Sequence, residues 1–304
     1  MLRYPVILLL IATFITGCQN NQLYTDSRVM LGTILEVKSP DKRAADIVFN
    51  EINRIENLLS KYKPGSEVYR LNQRGKLKVS PETFYIIKKS KELSTTTDRA
   101  FDITVAPLVD LWGFSDKKYR VPSDQEIKKA LKLVGSDKII LHEQDNVIEF
   151  SLPGMKIDLG GIAKGYALDC AVKRLKENNI ASCLIAAGQV YALGDKLGSP
   201  WKIAIKNPRG SVFSGYLEIK NESVATSGDY EQYFEADNIR YSHIMDPRSG
   251  YPADSGISSV TVVAPDGLTA DALSTAVFVL GKGAEKDLRS AFPGTRIKIQ
   301  CKTK

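Results

Sequence analysis

The sequence predicts an α+β fold, with helices concentrated in the first half of the chain and strands in the second. Apolar residues recur at helical spacing early in the chain, whereas short β-branched runs follow one another after Ser182. These runs do not alternate regularly with helices, which argues against a βαβ fold. With 304 residues, of which 43% are hydrophobic and 25% charged, the chain can bury a large core.

The first half combines helix-start signals with a few strands. Pro81 suits the first position of a helix that Ser80 begins, and Ser123 with Glu126 forms a capping-box pattern. The predicted elements are a strand at residues 29–37, an amphipathic helix after Asp41, helices starting at Ser80 and Ser123, and a hairpin of residues 138–142 and 146–150.

The second half is predicted to be mostly strand. Two helices interrupt it, one following a Gly-Gly turn and one late in the chain. The predicted elements are a strand at 156–159, a helix to about residue 178, strands at 182–187, 201–206, 216–220, 223–227 and 259–264, and a helix at 269–280.

The N-terminus has the pattern of an export signal. Arg3 precedes a short apolar run, and Ile15-Thr16-Gly17-Cys18 resembles a bacterial lipobox. In that pathway the Cys18 thiol is acylated and the signal is removed; a signal peptide without lipidation is the alternative. We therefore divide the chain into a signal peptide (1–17), a lipidated cysteine with a polar tether (18–28) and a functional domain (29–304).

Composition excludes several function classes. The 42 Lys and Arg residues outnumber the 35 Asp and Glu residues, but the excess is spread along the chain, so nucleic acid is not an expected partner. Only two histidines are present, which excludes a site built on several His ligands. The cysteines are too scattered for a zinc site, and Cys170 and Cys183 are expected to be buried free thiols, with a disulfide left open.

A Gly-Gly turn at Gly160-Gly161 precedes a predicted helix that carries Lys164. The N-terminus of a helix leaves backbone N–H groups free and has a positive dipole end, so it can hold a phosphate. Taken alone, such a turn is more often structural.

Asp271 and Thr275 are four residues apart in a predicted helix, so they share one face. A carboxylate beside a hydroxyl, with Ser274 adjacent, suits a hard cation such as Mg²⁺. Alternatively, Asp271 favours the helix dipole and Thr275 bonds its own backbone.

His243 and several aromatic residues complete the set of candidates. His243 lies just before an Asp-Pro-Arg-Ser-Gly turn and is either a general base or a structural residue. Phe101 and Trp112 either wall a planar ring or belong to the core. Tyr62, on a turn after a helix, is placed to stack on a ligand.

Together these segments resemble the ApbE family of FAD:protein FMN transferases. The most specific matches are Asp-Leu-Gly-Gly-Ile-Ala-Lys-Gly-Tyr at residues 158–166 and His-x-x-Asp-Pro-x-x-Gly at residues 243–250. The resemblance implies a T-fold-like α+β architecture, with mixed or antiparallel sheets, flanking helices and a flavin cleft. Among the departures, Leu31 stands where many members have Met, and Gln189 where many have Asp or Asn.

The resemblance also implies a reaction. FMN would pass from FAD to a Thr or Ser hydroxyl of an exported flavoprotein, with loss of AMP. Mg²⁺ on the FAD diphosphate would be held by Asp271, Thr275 and the carbonyl of Ala163, while Lys164 and His243 would serve phosphate binding and proton transfer. The implied flavin contacts are Leu31, Tyr62, Ala100, Phe101, Asp102, Gly160, Tyr166 and Met245.

Two rival functions remain open at this stage. The same site could use water and act as an Mg²⁺-dependent FAD pyrophosphatase, giving FMN and AMP. The protein could also be a flavin-binding lipoprotein without turnover. The expected location is the periplasmic side of a bacterial membrane, the inner one, through the lipid on Cys18.

Overall fold

The computed structural model describes residues 22–210 and 212–302, so the predicted signal peptide and Cys18 lie outside the described residues. The described residues form eight α-helices and four β-sheets, which confirms the α+β prediction. Of these helices, none is both long and apolar enough to cross a bilayer. Cys170, Cys183 and Cys301 are free, as expected for the first two.

The helices and strands are numbered in chain order. The helices are α1 (Ala44–Leu59), α2 (Glu67–Arg74), α3 (Pro81–Thr96), α4 (Ala106–Leu111), α5 (Asp124–Leu131), α6 (Ala163–Glu177), α7 (Gly267–Leu280) and α8 (Glu285–Ala291). The strands are β1 (Tyr24–Met30), β2 (Thr33–Ser39), β3 (Lys76–Lys78), β4 (Ile139–His142), β5 (Val147–Phe150), β6 (Cys183–Ala186), β7 (Val190–Leu193), β8 (Trp201–Ile205), β9 (Gly215–Ile219), β10 (Glu222–Gly228), β11 (Tyr233–Ala236), β12 (Ile239–Ser242), β13 (Ile257–Ala264) and β14 (Arg296–Cys301).

The main sheet is antiparallel, in the order β1-β2-β6-β7-β10-β13-β14. Helix α7 packs on it through Ala270, which contacts Ala225 and Ala264. The β8–β9 hairpin packs on Val224 and Val263. Because successive strand residues point to opposite faces, the helix and the hairpin cover opposite faces of the sheet. Strand β13 is accordingly buried along its whole length.

Local sequence signals account for several element boundaries. The Ser80 side chain accepts a hydrogen bond from the Thr83 N–H at the start of α3, and Ser123 and Glu126 form the reciprocal capping box of α5. Strands β4 and β5 pair as the predicted hairpin. These predictions are confirmed because each depends on residues close together in the chain.

The single strand predicted at residues 29–37 is wrong. Strands β1 and β2 form a hairpin that turns at Leu31 and Gly32, whose φ angles are 54° and 71°. Positive φ at both central positions suits a two-residue hairpin, but Leu seldom adopts it, so the sequence does not signal the turn. Residues 24–28, predicted as tether, belong to β1.

The strand predicted at residues 156–159 is also absent; this segment is an extended loop. The Asn72 side chain takes the place of a partner strand. Its Oδ1 accepts from the Ile157 N–H at 2.8 Å, and its Nδ2 donates to the Ile157 carbonyl at 2.9 Å. The backbone N–H and carbonyl of Ile157 are therefore both hydrogen-bonded, as they would be in a strand, although the loop lies in no sheet. The loop leads directly into α6.

Candidate active site

A cleft of about 750 Å³ brings together residues from all the segments that the sequence singled out. It lies where the ends of the main-sheet strands meet the N-terminal turns of α6 and α7. The predicted site residues that line it are Leu31, Tyr62, Ala100, Phe101, Asp102, Gly160, Lys164, His243, Met245, Asp271 and Thr275. Ala163 and Tyr166 do not line it.

Asp271 lies at the base of the cleft and is only 7% exposed. Its Oδ2 accepts a hydrogen bond from the Gly165 N–H at 3.0 Å, while Oδ1 accepts none from any residue that the structure describes. Burial raises the pKa of Asp271, and Lys164 and the Gly165 N–H oppose that shift. The site thus holds a buried carboxylate with one oxygen fixed and the other free.

The first turns of α6 and α7 pack against each other without intervening side chains. A Cβ on Gly165 would lie 2.0 Å from the Gly267 carbonyl oxygen, so only glycine fits there. Asp169 accepts from the Gly267 and Leu268 N–H groups at 2.6 and 2.9 Å. This contact fixes the position of Asp271 relative to the loop before α6.

The Gly-Gly loop before α6 adjoins the α7 residues of the proposed metal site. Gly161 lines the cleft, and a Cβ on it would lie 3.2 Å from Thr275 Oγ1. The Gly165 N–H, which a regular helix would direct to the Gly161 carbonyl, bonds Asp271 instead. Ala163 begins α6, so its carbonyl belongs to the helical hydrogen-bond ladder. The assignment of Ala163 as a metal ligand stays a prediction.

Ser274 does not reach the cleft. Its hydroxyl donates to the Asp271 carbonyl at 2.8 Å and lies 2.8 Å from Ser227 Oγ on β10. Ser227 Oγ is also 3.4 Å from Thr275 Oγ1. These contacts tie α7 to the main sheet, so Ser274 supports the site without lining it.

Lys164 is the second residue of α6 and extends into the cleft. In the part of the chain that the structure describes, its ammonium group forms no salt bridge, so a free cation lies beside the helix N-terminus. Tyr166, two residues later, faces another side of α6 because residues at this spacing do not share a face. It packs near Tyr85 and lines a separate cavity of about 870 Å³, so the structure does not bring it together with the other predicted flavin contacts.

His243 faces the cleft from the loop after β12. Its Nδ1 lies 3.1 Å from the Gln232 carbonyl oxygen. A carbonyl only accepts hydrogen bonds, so Nδ1 carries the hydrogen and Nε2 keeps a lone pair. Burial lowers the pKa of His243 below its usual 6.5, although the Gln232 carbonyl favours the charged form. At neutral pH the imidazole is therefore uncharged and able to accept a proton.

Part of the cleft wall is apolar. Phe101 and Met245 are buried in it, whereas Tyr62 is 64% exposed at the rim. Asp102 also lines the cleft, but its carboxylate accepts from the Thr104 and Ser136 N–H groups, so its side chain holds the loop together.

Trp112 belongs to the core rather than to the wall of the cleft. It is fully buried in a cluster with Leu108 and Ile127, and its Nε1–H donates to the Gly250 carbonyl at 3.0 Å. A planar ring in the cleft would therefore meet Phe101 and not Trp112.

Comparison with known proteins gives a consistent assignment. The ApbE family model matches residues 31–296. This chain belongs to the ApbE family. The FAD:protein FMN transferase of Klebsiella pneumoniae is 37% identical over 270 residues, 86% of this chain and 84% of that protein. A second relative with this name, from Haemophilus influenzae, is 32% identical over 83% of this chain and 75% of its own length.

Solved ApbE structures confirm the predicted architecture. The ApbE protein of Thermotoga maritima has a TM-score of 0.85 and 39% identity, covering 91% of this chain and 94% of that one. The flavin transferase ApbE from Vibrio cholerae has a TM-score of 0.83 and 30% identity, with 93% and 94% coverage. The family and the fold inferred from the motifs are therefore confirmed.

Sequence reasoning missed a largely buried ion pair at this ApbE cleft, which Asp158 lines. Lys61 Nζ lies 2.7 Å from Asp158 Oδ2, and the Lys61 side chain is only 10% exposed. Burial disfavours the Lys61 charge, but Asp158 outweighs it and raises the pKa of Lys61. The other Asp158 oxygen accepts from the Gly160 N–H at 2.8 Å and so shapes the Gly-Gly loop. An Asp two residues before a glycine was the sequence signal that could have predicted this hydrogen bond.

Proposed function

We propose that this protein transfers FMN from FAD to a Thr or Ser hydroxyl of an exported protein and releases AMP. One observation carries the proposal: a single cleft joins a buried carboxylate–hydroxyl pair, a free lysine, a neutral histidine and an apolar pocket. The relatives named FAD:protein FMN transferase support the same reaction.

The donor set fits Mg²⁺. Asp271 Oδ1, Thr275 Oγ1 and the predicted Ala163 carbonyl are all oxygen donors, which hard cations prefer. When bound, Mg²⁺ would neutralise charge on the FAD diphosphate. Because Asp271 Oδ2 is fixed by the Gly165 N–H, the carboxylate is oriented before any ligand arrives.

The chain's own residues account for the remaining steps. His243 Nε2 takes the proton of the acceptor hydroxyl, whose oxygen then attacks the phosphorus of the FMN moiety. A bond forms between that oxygen and phosphorus, and the phosphoanhydride bond to AMP breaks, so AMP leaves with the electron pair. Lys164 and the N-terminus of α6 stabilise the charge on the phosphoryl oxygens.

The deciding experiment incubates the protein with FAD, Mg²⁺ and an extract of exported proteins. Flavin fluorescence on one protein band in a denaturing gel, together with AMP in solution, supports the transferase. Free FMN and AMP without a fluorescent band would indicate the pyrophosphatase. Unchanged FAD would indicate a flavin carrier. A parallel incubation with EDTA tests the requirement for the divalent cation.

We also propose that residues 1–17 are a signal peptide and that acylated Cys18 anchors the protein on the periplasmic side of the inner membrane. Cys18→Ala should move the protein from the membrane fraction to the soluble fraction. Cys301→Ala, at an exposed free thiol, is the matched control and should leave fractionation unchanged. Retention of the Cys18 variant on membranes after a high-salt wash would contradict the anchor.

A further inference from the structure

A second groove, of about 330 Å³, continues the active-site cleft on the hairpin face of the main sheet. Gly188, Thr226 and Glu231 line both the groove and the cleft. From Glu231 the chain passes to Gln232, whose carbonyl holds His243. The groove is therefore an opening that leads toward the proposed base.

One wall of this groove is the edge of β8 that faces away from β9. The Ile205 carbonyl accepts from the Ser214 N–H at 2.8 Å, so the Ile205 oxygen faces β9. Backbone groups alternate in direction along an antiparallel strand, so those of Lys202 and Ala204 point to the other edge. Across residues 22–210 and 212–302, β9 is the only strand that pairs with β8.

The rest of the groove combines polar side chains with apolar ones such as Val190 and Val224. The Thr226 and Thr261 hydroxyls lie 2.9 Å apart on its floor. Lys206 stands on the rim with its ammonium group 4.7 Å from the centre of the Tyr230 ring. The Lys206 carbonyl is occupied, since it accepts from Gln300 Nε2 at 3.3 Å. The outward backbone groups of the preceding β8 residues have no partner strand among the described residues.

We propose that this groove binds an extended segment of the acceptor protein, which adds as a strand to the free edge of β8 and carries its hydroxyl to His243. The inference rests on the proposed function, because a transferase must admit a protein chain beside its substrate. An extended segment is narrow, and main-chain hydrogen bonds to a strand edge give affinity with little demand on sequence. Continuity of the groove with the cleft favours this occupant over an unrelated partner.

The test compares two substitutions at Ala204, which is exposed on the edge and lines the groove. Ala204→Pro removes the outward N–H, whereas Ala204→Val adds a similar volume and keeps it. The probe is the acceptor that wild-type protein labels. The Pro variant should raise the KM for this acceptor about tenfold, the effect of losing one main-chain hydrogen bond. The Val variant should stay near wild type, and the FAD dissociation constant should not change in either.

Other outcomes overturn the inference. An equal rise in KM for both variants would mean that bulk, not main-chain pairing, matters. Weaker FAD binding by the Pro variant would assign the groove to the nucleotide. An unchanged KM would place the acceptor elsewhere. If wild-type protein labels no acceptor, the proposed function fails first, before any variant is compared.

A second measurement on wild-type protein does not depend on the folding of a variant. Peptides that span the labelled hydroxyl are methylated at one backbone nitrogen at a time. Strand addition predicts that methylation impairs transfer at every second residue, because alternate N–H groups face β8. Uniform tolerance, or uniform loss without alternation, would exclude pairing with this edge.

Discussion

The charged end of the cleft, around Asp271, and its rim, around Tyr62, are built in different ways. At the charged end, Asp271 is 7% exposed and fixed by a backbone hydrogen bond between two packed helices. At the rim, Tyr62 is 64% exposed on a turn, and Leu31 occupies a hairpin turn. The proposed diphosphate site is therefore organised before FAD arrives, whereas the proposed ring contact of Tyr62 requires an exposed side chain to settle on the ligand. Substitutions at the charged end should affect the reaction, and those at the rim should affect affinity.

The largest effect is expected for Asp271→Ala. The proposed metal site would lose the carboxylate of Asp271, and several kcal/mol of charge stabilisation with it, so transfer should fall by at least about a thousandfold. The rate is measured across a series of Mg²⁺ concentrations. Asp271→Asn serves as the folded control, since an amide oxygen still accepts from Gly165. Normal rates at limiting Mg²⁺ in the Ala variant would refute its role as a ligand.

His243→Ala tests the proton transfer at the same end. General-base catalysis is typically worth about 10²–10⁴-fold, so the transfer rate should fall by that order while FAD and Mg²⁺ binding remain. His142→Ala, on β4 and far along the chain, is the matched control and should be near neutral. If the His243 variant only binds FAD more weakly, the imidazole positions the flavin instead of accepting the proton.

The pH dependence of the wild-type rate provides a further check on His243. Only the neutral imidazole accepts a proton, and burial lowers the pKa of His243 below 6.5. The rate should therefore be sustained at pH 7 and fall as the pH drops through that lowered pKa. An acid limb centred above pH 6.5 would contradict a buried, neutral base.

Short-range patterns predicted much of the fold and of the charged end. The capping box of α5 and the shared face of Asp271 and Thr275 depend on residues within four positions of each other. The contacts that were missed are long-range or use the main chain. The Asn72 side chain binds Ile157 from 85 residues away, and Gln232 acts through its carbonyl. Neither interaction leaves a local pattern in the sequence.

The resemblance to a family names residues along the chain, but it does not specify their orientation. Tyr166 belongs to the most specific motif, yet it faces the cavity on the other side of α6. Gly161, unassigned from the sequence, lies against Thr275. A motif specifies residue types along the chain, whereas the rotation of a helix and the packing of its first turn decide which of them reach the ligand.

Gly165→Ala tests whether the charged end depends on close helix packing. The added methyl would lie 2.0 Å from the Gly267 carbonyl oxygen. The backbones of α6 and α7 would have to separate to make room for it, and this would move Asp271. Overpacking of this kind costs about 1–3 kcal/mol, so the thermal midpoint and the transfer rate should both fall. Gly65→Ala, at a position with open space around it, is the control. Unchanged stability in the Gly165 variant would mean that the two helices are not tightly coupled.

The smallest effect is expected for Tyr62→Ala at the rim. Stacking on an aromatic ring is worth about 1–3 kcal/mol per base, and an exposed ring should give the lower end, a roughly fivefold to tenfold loss of FAD affinity. The effect should fall on binding, because Tyr62 contacts neither Asp271 nor His243.

Tyr62→Phe keeps the ring and separates stacking from the phenol hydroxyl. It should bind FAD as wild type does, because the Lys61 ammonium group lies 5.0 Å from the ring centre and is itself held by Asp158, so the local packing stays in place. Both variants are compared by fluorescence titration with FAD and by the transfer rate at saturating FAD. A lower saturated rate with unchanged FAD affinity in the Ala variant would move Tyr62 from the flavin to the acceptor side. In that case the rim of the cleft would bind the acceptor protein. The rim and the charged end would then differ in the partner that each binds, not in how rigidly each is built.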